Sequence, residues 1–259
     1  WDLGLAGGTA LFDGRLRLSG FYARTERDAI ATSARAFARE PLAEDPQTGE
    51  LVPQGSPVSP GGWIPVPAVI DGQFASGGIT FTEDGLAKPF DAVADGYNFY
   101  GDFNYLQSPL ERDSAGLFSR VEFSDQLSGY LDVVYTASTT DTEIAPIPAF
   151  TFSPINVDNP LLTEQASGVL ATNYDPEGTG FAFVPFGIRL EQNGPRTSLY
   201  DRENLHASLG LAGRLNNRWS WEASYTYTEH TADIVRGNQI LASRFEQSLL
   251  VDPATGACF

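Results

Sequence analysis

Lysine is almost missing from this chain: Lys88 stands alone, and arginine supplies the rest of the positive charge. Against 33 acidic residues there are 16 basic ones, a net charge of −17. The clustered cations that a phosphate backbone requires are absent, so nucleic acid is excluded as a partner. Methionine is missing altogether and cysteine occurs once, at Cys258. No disulfide can form within these residues. With no initiator residue and no charged-then-apolar leader, residues 1–8 read as mature protein. Long apolar runs are lacking too; the longest are a few residues, far short of the roughly 20 that a membrane-spanning helix needs. If this chain crosses a membrane, it must do so with strands.

What is plentiful is glycine (26), proline (17) and aromatic residues (12%), a composition that suits strands joined by turns. Period-2 alternation is the informative pattern. Leu205, Ala207, Leu209, Leu211, Gly213 and Leu215 fall on one face of a strand, with His206, Ser208, Gly210, Ala212 and Arg214 on the other. After a short turn at 216–218, Trp219, Trp221, Ala223, Tyr225 and Tyr227 share a face opposite Ser220, Glu222, Ser224, Thr226 and Thr228. This predicts an antiparallel hairpin with one apolar and one polar side. The same unit recurs on either side of 124–127 and of Phe12-Asp13-Gly14-Arg15, whose Asp-Gly pair is a hairpin turn signal. The predicted hairpins are 3–25, 115–139 and 205–229.

Their connections are unequal. Turns inside each hairpin are tiny, whereas 26–114, 140–204 and 230–259 are long, so every long segment leaves from the same end. A soluble β-sandwich has no reason for that asymmetry, but outer-membrane barrels have short turns on one side and long loops on the other. Trp219 and Trp221 lie by a short turn; Tyr22, Tyr135, Tyr225 and Tyr227 lie toward the long segments, the two positions of aromatic girdles. The expected class is all-β: an antiparallel transmembrane β-barrel fragment of about six strands in three hairpins, with long extracellular loops. Six is below the smallest barrels of about eight, and two open edges in lipid would cost several kcal/mol per unmet backbone group. The chain therefore reads as part of a larger barrel.

Several segments resemble the barrels of TonB-dependent outer-membrane receptors. They are Tyr97-Asn98-Phe99 with residues 104–112, Gly194-Pro195-Arg196-Thr197-Ser198 with Asp201-Arg202, Trp219-Ser220-Trp221-Glu222 with Ser224-Tyr225 and Tyr227, and Arg244-Phe245 with the closing Asp252-Pro253-Ala254-Thr255-Gly256-Ala257-Cys258. The resemblance covers most of 97–259; the first 30 residues match only as a hairpin. It implies a barrel of around 22 strands with a plugged lumen. The plug and the segment that engages TonB–ExbB–ExbD would precede residue 1, and Cys258 would pair with a cysteine slightly downstream. The implied function is energised uptake of a siderophore, vitamin or saccharide across the bacterial outer membrane; the alternative is a porin-like or adhesin-type barrel without energy coupling. No enzyme activity and no cofactor are expected.

Candidate sites follow from the same frame. Arg17, Arg120, Glu122, Asp132, His206, Arg214 and Glu222, with Ser19, have the polar parity and are expected to line the lumen or meet the plug. His206 and His230 lack a third ligand for a metal, and carboxylates at Glu26, Asp28, Asp141 and Glu143 lack the fixed spacing of a glycosidase pair; no catalytic or metal site is expected. Asp45-Pro46-Gln47-Thr48-Gly49 and its echo at Asp252 read first as β-turns rather than calcium loops. In the long segments Trp63, Tyr97, Phe99, Tyr105, Phe150 and Phe183 are candidates to stack on a sugar ring or an aromatic chelator; the plainer reading is that such rings pack on one another to order the loops. Residues 241–250 have the pattern of a short amphipathic helix.

Overall fold

A computed structural model describes the chain except for Pro46, Asp102, Asn217 and Phe259. The turns expected at 216–218 and 45–49 each contain one of these, Asn217 and Pro46, which lie outside the described residues. The chain is 57% strand and 11% helix, which makes it an all-β protein. Among the described residues no helix is long and apolar enough to cross a membrane.

In chain order, the elements that build its two main sheets and their packing are β1 (Asp2–Leu11), β2 (Leu16–Arg27), β3 (Trp63–Ile64), β4 (Ile79–Phe81), β5 (Ala87–Pro89), β6 (Leu110–Ser124), β7 (Leu127–Pro146), β8 (Pro148–Asn156), α1 (Glu164–Tyr174), β9 (Phe181–Arg189), β10 (Pro195–Asn216), β11 (Trp219–Gly237) and α2 (Ala242–Ser248). Two compact units result, one of residues 1–30, 107–142 and 198–236, the other of 31–106, 143–197 and 237–259.

The first unit is a six-stranded sheet in the order β1-β2-β6-β7-β10-β11. It is open, with β1 and β11 at its edges. Its first turn differs from a two-residue Asp-Gly hairpin: Phe12, Asp13 and Gly14 all have positive φ (54°, 53° and 86°) in a four-residue loop, and Gly14 and Arg15 donate back to Leu11 and Phe12. β6 to β7 turns on Asp125 and Gln126 alone, with a bulge between Glu122 and Ser124. β7 and β10 run 20 and 22 residues, well past the roughly 9–11 that cross a bilayer at a tilt, because the polar ends of both strands continue as ladder beyond the apolar stretch.

The long segments are where the sequence reading falls short. They hold a second antiparallel sheet, β5-β4-β3-β9-β8, with its own core. Ile64, Ile79, Ile155, Ala182, Val184 and Phe186 point to one side and are covered by Ala166 and Leu170 of α1, with Phe245 of α2 packed against the cluster. α1 starts where Thr163 accepts a bond from Ala166 N–H at 3.1 Å, a standard N-cap. Side-chain amides then stand in for missing strand partners. Gln165 accepts from the Ala87 N–H and donates to its carbonyl; Asn173 does the same for Val69, and Asn156 for Val251. Each amide satisfies two backbone groups that short strands leave over.

Asp175 closes the turn after α1. Its carboxylate accepts from Thr179 N–H and hydroxyl and from Gly180 N–H, all at 2.7 Å. The Thr179 hydroxyl and these amides hold its pKa below the ordinary 3.8 despite burial. A depressed carboxylate stabilises the fold above its unfolded pKa and loses that contribution as pH falls through the folded value. The melting temperature of Asp175→Asn should therefore lie below that of the wild type at neutral pH, with the gap closing as pH drops below about 4; near-UV circular dichroism melts at stepped pH would read it.

Candidate functional site

Register fixes what each face of the six-stranded sheet carries. Leu5, Tyr22, Ala115 and Tyr135 lie in one row across β1, β2, β6 and β7, followed toward the short turns by rows containing Leu117 and Val133, Leu18 and Leu131, and Leu11, Leu16 and Val121. On β10 and β11 the same face carries Leu209, Leu211, Trp221 and Tyr225: Leu211 lies against Gly129 and the Trp221 ring against Gly213. In the other direction the Tyr22–Tyr135 row gives way at once to charge. Asp113, in the next row, accepts from Tyr22 at 2.5 Å and from Arg24 at 2.9 Å, and Arg24 also reaches Glu111.

Nothing covers this apolar face among the described residues. Leu209 is 52% exposed, Leu211 43%, Trp221 37% and Tyr225 63%, and none of the buried hydrophobic side chains belongs to this unit.

The opposite face carries all the residues predicted to be polar-facing. Arg17 stands 3.9 Å from Glu122. Arg120 binds Asp132 through both terminal guanidinium nitrogens and sits 4.9 Å over the Tyr130 ring; Tyr130 in turn bonds Glu222 at 3.2 Å. His206 pairs with Thr228 and Ser208 with Thr226, while His230 pairs with Asn204, so the two histidines are engaged on separate rungs. Glu122, Ala212, Arg214 and Glu222 line a concavity of about 610 Å³ on this side. The arrangement is a network of ion pairs and hydroxyls.

In the second unit, the face of the β3-β9-β8 sheet turned away from its core is aromatic. Trp63 is opposite Gly187, and Gly187 is opposite Phe150. The Phe150 ring lies directly over Gly187, in the space a side chain there would fill. Trp63 meets Phe150 edge-on at 6.2 Å and Phe90 at 5.6 Å, and its indole N–H donates to the Gly77 carbonyl. Phe152, Phe181 and Phe183 have the same parity and are exposed, Phe183 at 59%. Three predicted binding residues, Trp63, Phe150 and Phe183, thus share one platform. Phe152, Phe181 and Phe90 belong with them, and period-2 alternation within 148–156 and 181–189 is the signal that groups the first two. Phe186 and Tyr174 follow the plainer reading: Phe186 is in the core, and the Tyr174 hydroxyl donates to the Val66 carbonyl, its pKa pushed up to about 12 by burial.

Tyr97, Phe99 and Tyr105 are not on that platform. Tyr105 opens a three-residue strand. Phe99 meets Tyr100 edge-on at 4.7 Å. Tyr97 has the Arg189 guanidinium 4.8 Å from its ring centre; its buried hydroxyl closes no hydrogen bond, and burial together with the nearby Glu191 carboxylate raises it to about 12. Arg189, at the end of β9, is one residue the sequence reading missed. It is 5% exposed and donates to the Val58 carbonyl, the Pro146 carbonyl and Ser56. Arg196 is a second, its Nε donating to the Ala145 carbonyl at 2.9 Å. Both line a cavity of about 340 Å³ with Ser56, Phe99, Asn104, Ile144 and Pro148. An isolated arginine in a loop-like sequence carries no pattern that would have marked either.

Asp252 builds an Asx turn: it accepts from Ala254 N–H and the Thr255 hydroxyl, and Gly256 follows at φ 68°. Asp45 repeats it toward Gln47 and Thr48, with Gly49 at φ 71°.

No protein-family model, curated protein or solved structure matches this chain.

Proposed function

We propose that this chain forms part of a bacterial outer-membrane β-barrel of the TonB-dependent receptor kind, which imports a scarce small molecule. The carrying observation is the uncovered apolar face that ends in a tyrosine row and then in charge. Eight of its large residues (Leu5, Leu117, Leu131, Leu209, Leu211, Trp219, Trp221 and Tyr225) are exposed. At about 1 kcal/mol for removing the rest of each from water, leaving them wet forfeits on the order of 10 kcal/mol, comparable to the whole stability of a domain. Something must cover them. Lipid fits the dimensions: Leu205 to Leu215 is ten residue steps, roughly 33 Å along the strand, and the usual barrel tilt reduces this to about 25 Å, the height of an outer-membrane apolar band. Tyr22 and Tyr135 then sit at the interface, with Arg24, Glu111 and Asp113 beyond it in water.

In this reading the ion-paired face of Arg17, Arg120, Glu122, Asp132, Arg214 and Glu222 turns to the lumen and the plug. The plug region, absent from these residues, couples to TonB–ExbB–ExbD. The second unit is the extracellular part, and its aromatic platform captures the solute by stacking. These residues make and break no covalent bond.

The test is uptake. Deleting the full-length protein from its host should abolish growth on one limiting nutrient, with iron chelates, vitamins and saccharides each tried, and the same loss should follow removal of TonB. Restoring the Phe150→Ala/Phe183→Ala form should weaken uptake by at least about tenfold, since two stacking rings contribute about 1 kcal/mol each. Recovery of the full-length protein as a soluble monomer without detergent would overturn the proposal.

A further inference from the structure

We infer that the cavity between Arg189 and Arg196 is a binding site for a compact oxyanion, a carboxylate or phosphate group. This does not depend on the membrane reading. Two guanidinium groups line one small space, and among the described residues neither has a carboxylate within 4.0 Å; the ion pairs there belong to Arg17, Arg24, Lys88 and Arg120.

Arg189 is anchored on two backbone carbonyls and Ser56, three of its five N–H groups, which fixes the fork while leaving two donors. Among the described residues Arg196 uses only its Nε, on Ala145, and keeps both terminal nitrogens. Asn104 accepts from Ala145 N–H through Oδ1, which orients its amide N–H₂ as a further donor on the same lining. Ser56 accepts from both Val58 N–H and Arg189, leaving its hydroxyl proton to donate. Each polar side chain lining the cavity thus keeps a donor to offer, set among Phe99, Ile144 and Pro148, and among the described residues no carboxylate lines the cavity to use them. A planar fork pair backed by hydroxyl and amide is the chemistry that recognises oxyanions.

The electrostatics agree with the geometry. Burial depresses Arg189 and the neighbouring Arg196 charge lowers it further, against the opposing pull of Tyr97 and of Glu191, which is beyond ion-pair distance; burial depresses Arg196 as well. A bound anion would relieve both effects.

The full-length protein, purified in non-ionic detergent, should be titrated calorimetrically with inorganic phosphate and, separately, with citrate at constant ionic strength set by sodium chloride. Saturable binding of either is the expected result, and whichever binds tells phosphate from carboxylate. Arg196→Gln should weaken it by at least about tenfold. Asn104→Asp keeps the acceptor for Ala145 N–H, supplies an internal carboxylate and should abolish binding while raising the melting temperature; it reads the site even if Arg196→Gln folds poorly. No saturable binding of either anion, or equal binding by wild type and Asn104→Asp, would overturn the assignment.

Discussion

Leu209→Arg is expected to block assembly into lipid, whereas Ser208→Arg, one residue away, is expected to be tolerated. The two positions differ only in which side of the β10 pleat they occupy. Leu209 is on the uncovered apolar face; Ser208 is on the polar face, bonded to Thr226 at 3.1 Å. Arginine near the middle of a lipid-facing band costs about 2–4 kcal/mol, while lumen positions accept charge readily. The difference would be read by urea unfolding of the full-length protein in lipid vesicles and by its yield in outer-membrane fractions. A soluble protein with a missing protein layer would instead let both variants fold in buffer, and equal costs on the two faces would contradict the lipid assignment.

Leu170→Ala should cost about 2–5 kcal/mol, the range for deleting a buried leucine where the site cannot collapse. Leu170 is 1% exposed and is packed on α1 against the core beneath β3, β4 and β9. The damage should stay within the second unit, whose core shares no buried residue with the six-stranded sheet. Limited proteolysis checks this directly: new cleavage is expected within 31–106 and 143–197, with 110–140 and 200–235 still protected. Simultaneous loss of both regions would show that the two units do not keep separate cores.

The parity of the six-stranded sheet was readable in the sequence because a period of two admits only two faces. Once Leu209 and Trp221 are assigned to one side, His206, Arg214 and Glu222 have to share the other, and the hydrogen bonds of the polar face follow that division. The second sheet was not readable. Its β3, β4 and β5 are two or three residues long, too short for any period to appear, and the side chains of Gln165, Asn173 and Asn156 pair with the backbone of Ala87, Val69 and Val251, far away in sequence. The aromatic platform was half legible. Its rings were noticed as a set of loop aromatics, but sorting Phe150 and Phe183 from Phe186 required strand register, and Tyr97 proved to belong with Arg189 instead. The arginine cavity depends on contacts such as Arg189 to Pro146 and to Ser56, 43 and 133 residues away, which no local pattern encodes.

The most direct measurement places a spin label in turn at 208, 209, 210 and 211 of the full-length protein in bilayers, with Cys258→Ser as background. Labels at 209 and 211 should collide with dissolved oxygen and be shielded from a water-soluble nickel chelate, and those at 208 and 210 should not follow that pattern. Labels at 209 and 211 that are immobile and shielded from both reagents would mean a protein layer lies over this face, and the importer reading would be wrong.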